Sequence, residues 1–230
     1  MEKKIMIAGA GSAMGQALLK KLLDGGHEVY TTSRGDMEEK GSRHHHASLN
    51  ILESDFPEGF LPESLDGMVY MPGTINLKPF KALKPEVFLE DFQINVMGAV
   101  KAIQKIQKKL KTGSSVVMFS TVAVQQGMPY HASIAASKGA VEGLVRTLAA
   151  ELAPTVRVNA IAPSLTDTPL SERMINTEDK LKAMKERHPL KEIGRPDDMA
   201  SMIYFLLSED ARWITGQIMH VDGGMSTIKK

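Results

Sequence analysis

The chain has 230 residues, 43% hydrophobic and 24% charged, and its 28 basic and 27 acidic side chains leave a formal net charge of +1. Those proportions fit one large α/β domain with a buried core, and they lack the basic excess of a nucleic-acid or anionic-membrane binder. The absence of cysteine excludes disulfides, thiol nucleophiles and thiolate metal sites.

At the N-terminus, the apolar run in MEKKIMIAGAG is too short for a signal peptide, and no stretch approaches the ~20 apolar residues that span a bilayer. A cytoplasmic protein without a membrane partner is expected. KIMIAG (4–9) reads as a buried strand, and SAMGQALLKKLLDGG (12–26) as an amphipathic helix closed by a glycine pair. EVYTTS (28–33) is a second strand, a weaker third lies near ASLNI (47–51), and GMVYMPG (67–73) is a fourth. A helical stretch runs from Pro85 to about Lys111, SVVMFST (115–121) is the fifth strand, and a long helix follows Met128. VRVNAIAP (156–163) and QIMHVDGG (217–224) complete the strands. This alternation predicts a Rossmann-type, doubly wound parallel sheet in a single domain over residues 1–230. Residues 164–195 interrupt the rhythm as a polar, helix-rich insertion after the sixth strand. They emerge at the carboxyl edge of the sheet, where ligands bind, and are expected to form a substrate-side lid.

GAGSAMG (9–15) joins the first strand to the first helix, a turn whose glycines allow close backbone approach to a pyrophosphate held at a helix N-terminus. The second strand ends in Ser33-Arg34 where an acidic residue would bind a ribose 2′-hydroxyl. An arginine there pairs with a 2′-phosphate instead, which favours NADP(H) over NAD(H), although Asp36 lies close by.

Several motifs in one order resemble the short-chain dehydrogenase/reductase family over essentially the whole chain. They are GAGSAMG, YMPG (70–73), FQINVMGAV around Asn95, SKGAV around Lys138, NAIAPSLTDTPL, GRPDDMA and ITGQIMHVDGG. The resemblance implies reversible hydride transfer between a nicotinamide cofactor and a small molecule. It implies cofactor contacts at Gly9, Ser12, Met14, Gly15, Arg34, Asn50, Gly73, Lys138, Thr166 and Thr168. It also implies a homodimer or homotetramer built on the helices that carry Asn95 and Lys138.

The family's catalytic set is an asparagine, a serine, a tyrosine and a lysine. Asn95 and Lys138 match, Thr121 stands at the serine position, and Ile134 stands four residues before the lysine, where the tyrosine belongs. A phenol beside an ammonium is a sound acid–base device, and isoleucine has no proton to give. Three readings follow. The donor has moved, with Tyr130 one helical turn before Ile134 as the first candidate and His131 and Ser133 nearby. Alternatively, hydride transfer proceeds without an enzyme acid on an activated C=C or C=N bond. In the third reading the chain binds NADP(H) without catalysis, as a sensor or assembly protein. Thus Asn95, Thr121, Lys138 and Tyr130 form the candidate catalytic set.

Three other features have plainer readings. Consecutive His44, His45 and His46 point to opposite faces of an extended segment, so they cannot share one metal and are expected in an exposed loop entering the third strand. No metal site is expected. KAIQKIQKKLK (101–111) is a solvated helix face, and Asp197-Asp198 after Pro196 caps a helix start.

Overall fold

The computed structural model describes residues 2–229. Its first strand, β1 (Lys4–Ala8), is buried on both faces, as an unbroken apolar run requires in the middle of a parallel sheet. Around it run β2 (Glu28–Ser33), β3 (His44–Ser48), β4 (Leu65–Tyr70), β5 (Leu110–Phe119), β6 (Val156–Pro163) and β7 (Ile218–Val221). All pair in parallel in the order β3-β2-β1-β4-β5-β6-β7. The chain works outward from β1 to β3 and then returns to β4 beside β1. That reversal opens a crevice at the carboxyl ends of the strands.

Two helical layers cover the sheet. On one face α1 (Ala13–Asp24) packs with α7 (Pro196–Leu207), burying Leu18, Leu19 and Leu22 against Ile203 and Leu206. Each such leucine contributes ~1.5–3 kcal/mol by burial. Ser12 caps α1 by accepting a hydrogen bond from the Gly15 amide at 3.1 Å. The start of α7 is fixed by Asp198, whose carboxylate accepts from the Arg195 amide at 2.8 Å, in keeping with the capping expected there.

On the other face lie α2 (Pro85–Phe92), α3 (Gly98–Ile106) and α4 (Ala132–Leu152), with Val96, Ile103, Ile106, Val141 and Val145 in the shared core. Helices α2 and α3 are one rod broken by a π turn over Gln93–Met97. The polar insertion carries α5 (Glu172–Ile175) and α6 (Glu178–Arg187).

Three strands start earlier than their sequences suggest, the fourth by two residues, at Leu65. The third begins at His44, so the histidines are the strand and not a loop before it. Alternation explains how it tolerates them. His44 Nε2 and His46 Nδ1 both meet Thr31 Oγ1, at 2.8 and 3.0 Å, while His45 on the other face stacks on Tyr30 and reaches Glu28 at 3.1 Å. Similarly, β5 begins at Leu110, paired with Leu65, with a register shift before Gly67 meets Ser115.

Candidate active site

A cleft opens along the carboxyl ends of the strands. Its walls come from the head of α1, from the loops after β4, β5, β6 and β7, from the first turns of α4, and from α5 and the end of α6. Most lining side chains are apolar, and six are methionines: Met14, Met71, Met128, Met174, Met184 and Met225.

The β1–α1 turn forms one end. Gly9 has φ +84°, and a Cβ there would lie 2.9 Å from Pro72; a Cβ on Gly15 would lie 2.7 Å from the Ala10 backbone. Both glycines are therefore demanded by packing as well as by any ligand. The amides of Gly9 and Ala10 are spent on the Thr32 carbonyl, at 2.8 and 3.0 Å, which ties the turn to β2. Arg34 follows β2, exposed and forming no ion pair among the described residues.

Lys138 projects from α4 into the cleft and is buried, with 7% of its surface exposed. Desolvation pulls its ammonium down to about 8, opposed by the negative charge of Asp91. A Cβ on Gly73 would lie 3.1 Å from Asn95 Oδ1 and 3.5 Å from Lys138 Nζ, so glycine keeps this corner open. The Asn95 amide donates to the Asp91 carbonyl at 2.7 Å and to Thr74 Oγ1 at 3.1 Å. Its Oδ1 is buried and accepts nothing from the chain. That orphaned acceptor beside an open corner, together with the glycine cradle at the head of α1, fits a nicotinamide dinucleotide.

Behind the corner lies a residue that sequence reasoning missed. Asp91 is fully buried. Its carboxylate accepts from Thr74 Oγ1 (2.5 Å), Asn76 Nδ2 (2.7 Å) and Ser133 Oγ (2.5 Å). The available signal was its spacing, one helical turn before Asn95 on the same inward face.

Thr121 lines the cleft after β5, its hydroxyl accepting from the Ala123 amide at 3.3 Å. The neighbouring Ser120 is committed elsewhere, donating to Glu142 at 2.8 Å. Ile134, one turn before Lys138, is 4% exposed and also lines the cleft. Thr166 and Thr168 line it from the insertion, Thr166 bonded to the Ser164 carbonyl and Thr168 to Ser171.

Several expected site residues lie apart from this wall. Tyr130 does not line the cleft; it is 58% exposed and has φ +72°. Asn50 follows β3, where its side chain accepts from the Leu52 amide at 3.2 Å in a local turn. Arg34, Gly9, Ser12 and Gly15 lie along the β1–α1 end instead of on the lining itself.

A seven-stranded parallel sheet with a glycine turn, a cleft at its switch point and a buried lysine on the facing helix defines a dinucleotide-binding α/β protein. The family model described as enoyl-(acyl carrier protein) reductase matches residues 54–226. A glucose 1-dehydrogenase of Gluconobacter oxydans is 30% identical over 97% of this chain and 92% of its own. Aldohexose dehydrogenase of Thermoplasma acidophilum, in ligand-free form, superposes with a TM-score of 0.87 at 24% identity, covering 100% of this chain and 97% of the other. The protein ElxO with NADP bound gives a TM-score of 0.86 at 22% identity, covering 99% and 100%. The chain belongs to the short-chain dehydrogenase/reductase family of oxidoreductases.

Proposed function

We propose that the protein is an NADP(H)-dependent oxidoreductase acting on a small molecule through a non-standard active site, in which Ile134 occupies the position of the family's tyrosine. The carrying observation is that Met14, Gly73, Lys138, Thr166 and Thr168 meet Thr121 and Ile134 around one cleft. The cofactor, when bound, supplies or accepts a hydride.

The chain's own residues have divided roles in this reading. Gly9, Ser12 and Gly15 let the head of α1 approach a pyrophosphate, and unpaired Arg34 receives a 2′-phosphate. Lys138 holds ribose hydroxyls, Thr166 and Thr168 hold the nicotinamide half, and Asn50 contributes at the adenine side. Thr121 donates to a substrate oxygen. Asn95, with Oδ1 otherwise unsatisfied, holds a water at the buried corner. The 164–195 insertion covers the substrate. Ile134 supplies a wall and no proton.

Calorimetric titration with NADPH and NADH tests the reading. Tighter binding of NADPH is expected, with the preference lost in Arg34→Glu; binding of neither overturns it. Calorimetry is preferable to tryptophan emission because Trp213 is 90% exposed. Ile134 also gives weight to a second reading, a sensor or assembly protein that binds NADP(H) without turnover. A panel of carbonyls, imines and enones separates the two. No turnover in wild type with ketone reduction by Ile134→Tyr favours the binder.

The same proposal has the protein cytoplasmic and homo-oligomeric. Among the described residues no helix is long and apolar enough to cross a membrane, and no cluster of three potential metal ligands occurs. On α2, Leu89 (69%) and Phe92 (41%) are exposed, and the neighbouring α4 presents Ala136 and Gly143. These offer apolar area and close approach to a second copy.

A further inference from the structure

We propose that His131 carries the proton exchanged with the substrate oxygen, through Nε2, in the position that Ile134 leaves without a donor. The assignment rests on the oxidoreductase reading above.

Four ionisable side chains line the cleft: His131, Lys138, Arg187 and His188. His188 has both ring nitrogens engaged, Nδ1 with the Met184 carbonyl at 2.8 Å and Nε2 with Ser164 Oγ at 2.9 Å. The Arg187 guanidinium never gives up its proton in a protein. Lys138 is buried against Gly73 and Asn95, the corner assigned to the ribose. That leaves His131.

The ring of His131 is tethered at one nitrogen only. Nδ1 lies 2.7 Å from the Pro129 carbonyl, and a carbonyl can only accept, so Nδ1 carries a hydrogen in either charge state. The proton that comes and goes is therefore on Nε2, which has no hydrogen bond among the described residues. Imidazole can both give and take a proton at Nε2, as a general acid–base requires.

Backbone geometry supports the same role. His131 precedes Ile134 by three residues at the head of α4, one turn along the same face. Tyr130 beside it adopts φ +72°, a conformation uncommon for a residue with a Cβ and enriched at functional sites. That turn directs the phenol outward and places the imidazole on the cleft wall. Strain here serves the residue after the tyrosine.

In the reducing direction the C=O π bond breaks, and the carbon gains a hydride from the reduced nicotinamide dinucleotide. The oxygen takes the Nε2 proton, and the imidazolium becomes neutral and is reprotonated by water. In the oxidising direction neutral Nε2 accepts the hydroxyl proton. The titratable and charged side chains around this exchange are Lys138 on α4, Asp91 on α2 beneath Ser133, Arg187 and His188 at the end of α6, and exposed Lys78 on the adjoining loop.

The test uses the full chain with NADPH and the carbonyl panel, comparing wild type with His131→Asn, His131→Gln and Tyr130→Phe. Asn keeps an N–H near the Nδ1 position and Gln keeps one near Nε2, so both remove titration while each retains one of the ring's hydrogen-bonding positions. A fall in kcat of about 100-fold or more is expected in both amide variants, with loss of the limb that wild type shows in its pH–rate profile. NADPH affinity by calorimetry should hold within about twofold in both amide variants, and a fall in Tyr130→Phe as large as theirs overturns the choice of His131 over Tyr130. Nitrogen NMR of the NADPH-loaded protein should show neutral His131 as the Nδ1–H tautomer. Retained turnover and an unchanged pH limb in both amide variants, or an Nε2–H tautomer, overturn this assignment alone. Failure of wild type to bind either NADPH or NADH, or to turn over any member of the carbonyl, imine and enone panel, overturns the oxidoreductase reading and this assignment with it; turnover of imines or enones alone overturns only this assignment.

Discussion

Lys138 illustrates how far one side chain can be followed from spacing to energetics. Burial lowers its ammonium to about 8, whereas the same group in an unfolded chain titrates near ~10.4. Between those values the unfolded state binds more protons, so stability rises with pH; below about 8 both states are charged and the full burial cost is present. Lys138→Met should therefore stabilise the ligand-free protein at neutral pH by up to the order of 3 kcal/mol. Denaturant titrations across pH 7 to 11 should show the wild-type rise and its absence in the variant. Asp91 pulls the other way. Asp91→Ala would strand three hydroxyl and amide donors in the interior, and a loss of about 3 kcal/mol or more is expected in the same titrations. Asp91→Asn should lower the Lys138 midpoint further. Lys138 and Asn95 were legible because their motifs have fixed spacing. Asp91 was not, because an acid on an amphipathic helix reads as solvent-facing until its partners from a distant loop are known. Its partners Thr74 and Ser133 lie 17 and 42 residues away.

At the scale of elements, strand and helix order could be read from apolar periodicity, and the glycine turn from its place after β1. Boundaries were less legible where tertiary partners decide them. Three histidines carry no strand signal, yet β3 begins on them because Thr31 on the neighbouring strand satisfies two of the rings. Thr31→Val would leave His44, 1% exposed, without that partner, and should cost about 1–3 kcal/mol in thermal unfolding. The π turn at Gln93–Met97 was likewise silent in a uniformly helical pattern. Such turns recur at functional sites, and this one carries Asn95. Deleting one residue within it, to restore an α-helical register, should displace Asn95 and weaken NADPH binding in calorimetry.

For the whole molecule, the position of the cleft follows from topology, since the return from β3 to β4 leaves the carboxyl edge open beside β1. The exposed apolar residues of α2 extend that logic to assembly. Leu89→Asp is expected to shift sedimentation from a dimer or tetramer toward monomer; an unchanged sedimentation coefficient would remove α2 from the interface. Which substrate enters was never readable from the chain, because the pocket is walled by interchangeable apolar side chains contributed from segments scattered between Met14 and Met225.

That wall has a chemical consequence. All six cleft methionines are half-buried, whereas Met6, Met68, Met118 and Met199 are sealed in the core, and there is no cysteine to react first. Thioether oxidation would turn a soft, adaptable lining into a polar one while sparing the interior. Mild peroxide should therefore abolish ligand binding before it unfolds the protein. Sulfoxide formation, read methionine by methionine in a mass spectrometer, would give a footprint of whatever the cleft holds.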